Sequence, residues 1–292
     1  MADSPQGYDP GWGGLEGEVL AFLDLEATGP MPGDRIVEIG AVLVQEDEVL
    51  DRFHAFVDPE IEVPADVRKI HGIGSQLLHG APRIGEALRA LFAFLGRARG
   101  LALHHAPADM RFLAYDARRA GLELPDLAVV DTKVMARRML GRASPSSLYG
   151  LCELFGIDCE SNHRALPDAE CTHRLFRCLL QAAVSAQSRF WSWPRPAMLG
   201  EAALPPVDID ADMQDLLPRS PPRTMHICYG KKGETKAWIE VTPLAIIEGR
   251  SGPWLRARES TSGEFKFYRL CGIQAWHDSA GEGPCHDCPG CS

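Results

Sequence analysis

The stretch Phe22-Leu23-Asp24-Leu25-Glu26-Ala27-Thr28-Gly29 decides the fold of this chain. An apolar run at positions 20–23 leads into the two acids and predicts a buried β-strand. Because side chains alternate faces along a strand, Asp24 and Glu26 project from the same face. Two carboxylates on an apolar strand repel each other and are costly to desolvate, so a divalent cation is the obvious counter-charge. A strand end with two solvated acids is the alternative.

Length and composition indicate a globular protein of two domains. The chain has 292 residues, of which 45% are hydrophobic and 24% charged. Residues 1–17 lack the basic start and apolar run of a signal peptide, and no stretch approaches the ~20 apolar residues of a membrane span. We therefore expect a cytoplasmic protein with no membrane partner.

The net charge of −10 argues at first against a polyanionic partner, but the charge is unevenly distributed. Residues 1–218 carry −12, whereas residues 219–278, with ten basic and six acidic side chains, carry +4. A basic second part attracts a polyanion locally, and metal ions can neutralise an acidic active site. The charge pattern is therefore compatible with nucleic acid as a partner.

Residues 18–187 predict an α/β domain with a mixed sheet flanked by helices. Apolar runs at 35–44 and 49–57 form a hairpin that extends the first strand into an antiparallel meander. Strands and helices then alternate, with strands at 100–104 and 127–130 and helices near 84–95, 107–120, 131–140, 147–155 and 167–183.

The rest of the chain has a different character. Residues 1–17 are expected to be flexible, and residues 188–222, with seven prolines, predict a linker. Residues 223–278 contain short β-type runs separated by glycine-containing turns, which predict a small β-barrel or sandwich. Residues 279–292 form a cysteine-containing tail.

Four cysteines fall in the helical part of the first domain, without the spacing of a disulfide framework. They are Cys152, Cys159, Cys171 and Cys178. In the absence of a secretion signal we expect reduced, buried thiols there.

Two further carboxylates and a histidine suit the same site as Asp24 and Glu26. Asp109 and Asp168 each lie in the first turn of a predicted helix, and His163 precedes Asp168 by five residues. The alternative for each acid taken alone is that it merely caps its helix or interacts with the helix dipole. Together, however, the four carboxylates supply oxygen ligands for two hard cations, and a neutral imidazole can accept the proton of an attacking water. The set predicts phosphodiester hydrolysis with His163 as general base.

At these positions the sequence resembles the DEDDh 3′→5′ exonucleases. Their first motif is matched by Asp24, Glu26, Thr28 and Gly29, the second by His104 and Asp109, and the third by His163 and Asp168. The resemblance covers residues 18–183 and implies an RNase H-like fold, stepwise release of mononucleotides from a 3′ end, and Asp24, Glu26, Asp109 and Asp168 as ligands of Mg²⁺ or Mn²⁺. It also implies that Ala27, Thr28 and His104 contact the substrate.

The second motif departs from the family at two positions. His105 stands where asparagine is usual, and Ala108 where phenylalanine is usual. Loss of an aromatic side chain beside Asp109 is expected to loosen the substrate pocket or alter its preference for base and sugar. Neither change removes a metal ligand.

Residues 223–278 resemble a WYL domain, a small Sm-like β-barrel associated with nucleic-acid ligands. The matched stretch includes Pro253-Trp254-Leu255, a degenerate form of the motif that names the domain. The expected phosphate-binding and stacking side chains are Trp254, Arg256, Arg258, Arg269, Lys236, Lys266 and Tyr268. A solvated barrel surface is the alternative for each of them.

The tail places Cys285, Cys288 and Cys291 at equal short intervals. Thiolates at this spacing can hold structural Zn²⁺ or belong to an iron–sulfur site. Candidate fourth ligands are Cys271, His277 and His286. The paired second half that makes zinc motifs specific is missing, so an acidic tail without metal is the alternative.

Taken together, these patterns predict a two-metal 3′→5′ exonuclease acting on DNA, with a preference for single-stranded 3′ ends. An RNA-trimming enzyme on the same site is an alternative, because two-metal chemistry attacks the phosphate and leaves sugar selection to the pocket. A non-catalytic sensor acting through the WYL-like domain is an alternative of a different class. Such a module would not need four carboxylates and a histidine.

Overall fold

The computed structural model describes residues 17–31, 33–141, 144–159, 163–185, 197–199, 223–230, 236–249 and 252–278. The chain divides into two compact units. Unit 1 comprises Met1–Gly29 and Arg35–Leu204, and unit 2 comprises Pro30–Asp34 and Pro205–Ser292. Among the described helices, none has both the length and the apolar character needed to span a bilayer.

Unit 1 contains a mixed sheet with the strand order β3-β2-β1-β4-β5-β6. Its strands are β1 (Val19–Ala27), β2 (Ile36–Gln45), β3 (Glu48–Phe56), β4 (Gly100–Leu103), β5 (Ala128–Asp131) and β6 (Ala197–Met198). The first three strands form the predicted antiparallel meander, β4 is parallel to β1, and β5 is parallel to β4. The predicted mixed α/β sheet is therefore confirmed.

The described helices of unit 1 connect and cover these strands. They are α1 (Ala65–His71), α2 (Ser75–Leu78), α3 (Ile84–Leu95), α4 (Ala106–Arg119), α5 (Thr132–Leu140), α6 (Leu148–Leu154) and α7 (Ala165–Ser185). The helices predicted from hydrophobic periodicity begin within two residues of these positions. Periodicity was sufficient because each of these helices buries one apolar face.

Strand β6 was not predicted. It consists of Ala197–Met198, pairs antiparallel with β5, and lies in the segment expected to be a linker. Unit 1 accordingly extends to Leu204, beyond the expected boundary near residue 187. Two residues carry no periodic signal, so this pairing depends on the position of β5 in the folded sheet.

Side chains alternate along β1 between two hydrophobic cores. Ala21 and Leu23 pack on the face covered by α3 and α4, whereas Phe22 packs with Leu175 and Phe176 of α7 on the opposite face. By the same alternation Asp24 and Glu26 lie on the face that α7 covers.

Gly40 allows the start of α7 to approach the sheet closely. It pairs with Asp24 across β1 and β2. A Cβ atom at Gly40 would overlap the backbone of Ala165 and Leu166. The absence of a side chain therefore lets the first turn of α7 lie directly against β2 beside Asp24.

The described part of unit 2 is an open antiparallel sheet with the order β10-β9-β8-β7-β11. Its strands are β7 (Met225–Tyr229), β8 (Ala237–Gly249), β9 (Gly252–Glu259), β10 (Phe265–Arg269) and β11 (Ile273–Asp278). Two runs predicted as separate strands are joined in β8, whose register shifts between Pro243 and Ala245. Because no pairing between β10 and β11 is observed in the described residues, the expected Sm-like barrel is corrected to an open sheet.

The expectation of reduced thiols is wrong for two of the four cysteines in unit 1. Cys159 and Cys171 are joined by a disulfide, whereas Cys152 and Cys178 are free. The fold brings the Cα atoms of the bonded pair to 6.0 Å, a separation typical of disulfides. This proximity arises from the return of α7 past the segment after α6, which sequence spacing alone does not reveal.

Candidate active site

The four acidic side chains come from three elements of unit 1. Asp24 and Glu26 lie near the end of β1, Asp109 in the first turn of α4, and Asp168 in the first turn of α7. The charges of Asp109, Asp168 and Glu26 all raise the pKa of Asp24, so each of these three groups lies within electrostatic reach of Asp24. The structure thus brings together the carboxylates expected from the sequence.

Burial and mutual repulsion keep these carboxyl groups from ionising easily. Burial, followed by repulsion from Asp168, Glu38 and Asp109, raises the pKa of Glu26 to about 8. Burial also raises the pKa of Asp168 to about 6, although a hydrogen bond from Tyr149 acts in the opposite direction. A cluster of acids with raised pKa values is the electrostatic pattern expected where a cation supplies the missing positive charge.

His163 lies beside two of the acids. A carboxylate oxygen of Glu26, a carboxylate oxygen of Asp168 and a ring nitrogen of His163 all lie within 4.8 Å of one another. The His163 side chain is exposed. Oxygen donors in this number and charge fit Mg²⁺ or Mn²⁺, which prefer carboxylate ligands. An exposed imidazole at the rim of the acidic cluster can reach a water molecule as well as the carboxylates.

The start of α4 is held by a carboxylate to which the sequence assigned no role. Asp131, at the end of β5, accepts the backbone N–H groups of His105 and Ala106 at 3.2 and 3.1 Å. It also caps α5 through Lys133 and Val134. Asp131 therefore fixes the turn that presents Asp109, and its position at a helix N-cap was the signal available in the sequence.

His104 has a supporting position in the structure. Its Nδ1 atom lies 2.9 Å from Thr132 Oγ1, and its Nε2 atom lies 3.1 Å from the carbonyl oxygen of Ser146. Burial lowers the pKa of His104, which favours the neutral ring. With both ring nitrogens engaged, His104 connects β4 to α5 and the start of α6, and its expected contact with substrate stays a prediction.

The end of the first motif is tied to the start of β2. Thr28 is buried, its Oγ1 atom accepts the backbone N–H of Arg35 at 2.9 Å, and its own N–H donates to the Arg35 carbonyl oxygen at 2.8 Å. Ala27 is partly exposed. The Thr28 side chain therefore stabilises the turn, and the substrate contacts expected for Ala27 and Thr28 stay predictions.

The start of α7 is anchored by Glu38 of β2, which lies opposite Glu26 in the neighbouring strand. Glu38 is fully buried and accepts hydrogen bonds from the Arg164 guanidinium, the backbone N–H of Ala165 and His54. Burial acts to raise the pKa of Glu38, but these donors outweigh it and lower the pKa. Glu38 and Arg164 are 126 positions apart, so their pairing could not be read from the local sequence around either residue.

Side chains expected to bind phosphate in unit 2 are largely engaged within that unit. Arg256 is only 3% exposed and donates to Asp34 at 2.8 Å, which corrects its expected role on a surface. Arg258 donates to the carbonyl oxygen of Gly263, and the guanidinium of Arg269 stacks 4.8 Å from the ring of Trp254.

Two of the other expected side chains in unit 2 are also engaged within it. Lys266 and Tyr268 both hydrogen-bond to Glu259, and Tyr268 is buried. Lys236 is exposed.

The cysteines proposed as zinc ligands, Cys285, Cys288 and Cys291, lie outside the described residues, so the zinc site stays a prediction.

The mixed sheet of unit 1, with its flanking helices and acidic cluster, fits a class of protein, the metal-dependent nucleases with an RNase H-like fold. The family described as Exonuclease (RNase T) matches residues 21–176, more than half of the chain. The chain belongs to this exonuclease family, whose DEDDh members are metal-dependent 3′→5′ hydrolases.

Curated relatives share this domain, and a solved structure has a similar fold. The chain is 36% identical to the DNA polymerase III subunit epsilon of Rickettsia felis over 157 residues, which cover 51% of this chain and 68% of that protein. It is 35% identical to the PolC-type DNA polymerase III of Halalkalibacterium halodurans over 170 residues, 58% of this chain but only 12% of that protein. The nuclease domain of 3′hExo, a DEDDh family member bound to rAMP, has a similar fold, with 18% identity, a TM-score of 0.52 and coverage of 62% of this chain and 96% of that chain.

Proposed function

We propose that this protein is a 3′→5′ exonuclease that releases mononucleotides from single-stranded DNA with Mg²⁺ or Mn²⁺ as cofactor. The observation that carries the proposal is the cluster of Asp24, Glu26, Asp109 and Asp168 with His163 beside it. DNA is favoured over RNA because the curated relatives named above are DNA polymerase proteins.

The acidic residues would hold two cations, as the resemblance to the DEDDh exonucleases implies. When bound, the cations supply Lewis-acid chemistry, which lowers the pKa of water and neutralises charge that develops on the phosphate. The carboxylates lose their protons as the cations bind, so the raised pKa values of Glu26 and Asp168 make cation binding tighten as the pH rises to about 8.

His163 would act as the general base. Its exposed ring lies next to Glu26 and Asp168, where it can accept the proton of the attacking water. The scaffold residues Glu38 and Asp131 hold the starts of the two helices that carry Asp168 and Asp109.

The test is digestion of a 5′-labelled single-stranded DNA with Mg²⁺, compared with the same sequence as RNA and as duplex. We expect a ladder of products shortened from the 3′ end, and at least about a hundredfold loss of rate in Asp24→Asn and His163→Ala. Asp126→Asn and His79→Ala, which alter exposed residues outside the acidic cluster, are the matched controls and should retain activity.

Each result has a distinct meaning. Full activity in both active-site variants would rule out the proposed mechanism. Faster digestion of RNA than of DNA would instead reassign the substrate class and leave the catalytic residues in place.

For unit 2 we propose an accessory role in holding nucleic acid, the role that the resemblance of its sequence to a WYL domain implies. The formal charge of +4 over residues 219–278 and the stacked pair of Arg269 and Trp254 support this proposal. A cytoplasmic location also stays a proposal.

A further inference from the structure

The hydroxyl group of Tyr149 connects the general base to one of the acidic residues. Tyr149 lies in the first turn of α6, whose N-cap is Ser147. Its Oη atom lies 2.7 Å from both carboxylate oxygens of Asp168, and it accepts the backbone N–H of His163 at 3.1 Å. The rings of Tyr149 and His163 meet edge to face, with centroids 5.3 Å apart.

A tyrosine hydroxyl is suited to this position because it donates one hydrogen bond and accepts another. Its single proton can serve the Asp168 carboxylate while an oxygen lone pair receives the N–H of His163. Phenylalanine would preserve the ring contact and remove both hydrogen bonds. The hydroxyl therefore sets the spacing between the backbone of His163 and the Asp168 carboxylate.

The backbone at His163 requires such support. Its φ angle is +44°, in the left-handed region that residues other than glycine rarely adopt. A non-glycine residue persists there only when surrounding contacts hold it. The hydrogen bond from the His163 N–H to Tyr149 is one such contact, and α6 provides it from outside the segment that carries the base.

We propose that Tyr149 is a positioning residue that fixes the backbone of His163 and the carboxylate of Asp168 relative to each other. This inference rests on the proposed function, in which His163 is the general base and Asp168 a metal ligand. Tyr149 itself transfers no proton in this scheme. It restricts the orientations from which His163 can reach the attacking water.

The test compares Tyr149→Phe with wild type in three measurements. In the metal-free protein, hydrogen exchange followed by NMR should show the His163 amide exchanging about tenfold faster in the variant, because its acceptor is lost. Calorimetric titration with Mn²⁺ should show about tenfold weaker binding, as is typical when a hydrogen-bond partner of a metal ligand is removed. On single-stranded DNA, kcat should fall about tenfold while KM stays unchanged.

Two further variants separate positioning from folding. Tyr149→Leu, which also removes the ring contact with His163, should lower kcat further, and Tyr229→Phe, which removes a hydroxyl from unit 2, should behave as wild type in all three measurements. Wild-type amide exchange and wild-type kcat in Tyr149→Phe would overturn the inference. Inactivity of the wild-type protein would overturn the proposed function instead, while amide exchange would still decide whether Tyr149 holds the segment.

Discussion

At the scale of single residues, Glu38 shows how a buried charge can shape a site without belonging to it. Its carboxylate lies opposite Glu26 and raises the pKa of that residue, yet Glu38 stays ionised because Arg164, Ala165 and His54 donate to it. Since the same hydrogen bonds fix the residues between His163 and Asp168, Glu38 links the geometry of β2 to that of the catalytic segment.

Replacement of Glu38 by glutamine should destabilise the protein and slow catalysis. The variant keeps the size of the side chain but removes the charge that Arg164 pairs with, so we expect a loss of about 1–2 kcal/mol, since the Arg164 guanidinium is partly exposed to solvent. Urea unfolding and single-turnover DNA cleavage are the measurements.

Asp51→Asn is the matched control for this variant. It removes the carboxylate of an exposed ion pair with Arg97 and should leave the urea midpoint unchanged. An equal urea midpoint and rate for Glu38→Gln and wild type would contradict an anchoring role for Glu38.

At the scale of elements, the site depends on where two helices begin. Both α4 and α7 present an acid in the first turn, and a partner carboxylate, Asp131 or Glu38, receives backbone N–H groups at each start. Such groups have no partner within their own helix. The same contacts therefore satisfy the helix ends and position the acids.

Gly40→Ala should displace α7 from the sheet. The added methyl group would overlap the backbone of Ala165 and Leu166, which cannot rotate away as a flexible side chain can. We expect destabilisation of about 3 kcal/mol and loss of cleavage, measured by urea unfolding and by the DNA assay.

The control is Gly74→Ala, where a Cβ atom would meet only the Arg68 side chain, at 3.8 Å. Its stability should stay close to that of wild type. A fully active and stable Gly40→Ala variant would show that α7 does not need its close approach to β2.

At the scale of the whole molecule, the acidic cluster couples stability to pH and metal. The pKa of Glu26 rises from its ordinary value of 4.5 to about 8 on folding, so the folded protein binds more protons between these pH values. The corresponding stability is complete below the lower value and is lost as pH rises through the higher one. Cations replace the lost protons, because they neutralise the same carboxylates.

The Tm of the metal-free protein should therefore fall between about pH 5 and pH 8, and Mg²⁺ should raise it more at pH 8 than at pH 6. Thermal unfolding with EDTA or with Mg²⁺ across this pH range is the measurement. Glu26→Gln should flatten the pH dependence of Tm, whereas Asp126→Asn should not. A metal-induced gain in Tm that is independent of pH would contradict the coupling.

The sequence by itself determined the features that depend on local pattern. Alternation along β1 placed Asp24 and Glu26 on one face, periodicity located the main helices, and motif spacing identified Asp109, His163 and Asp168. These signals are readable because strand and helix geometry act over a few residues.

Only the tertiary structure decided which distant residues meet. Glu38 and Arg164 are 126 positions apart, and nothing local specifies their ion pair. The disulfide between Cys159 and Cys171, the burial of Arg256 against Asp34 and the contact of Tyr149 with His163 likewise depend on the path of the chain. The periodicity of the sequence tells which face of a helix or strand a side chain occupies. Its partners, however, are set by the packing of elements that lie far apart in the sequence.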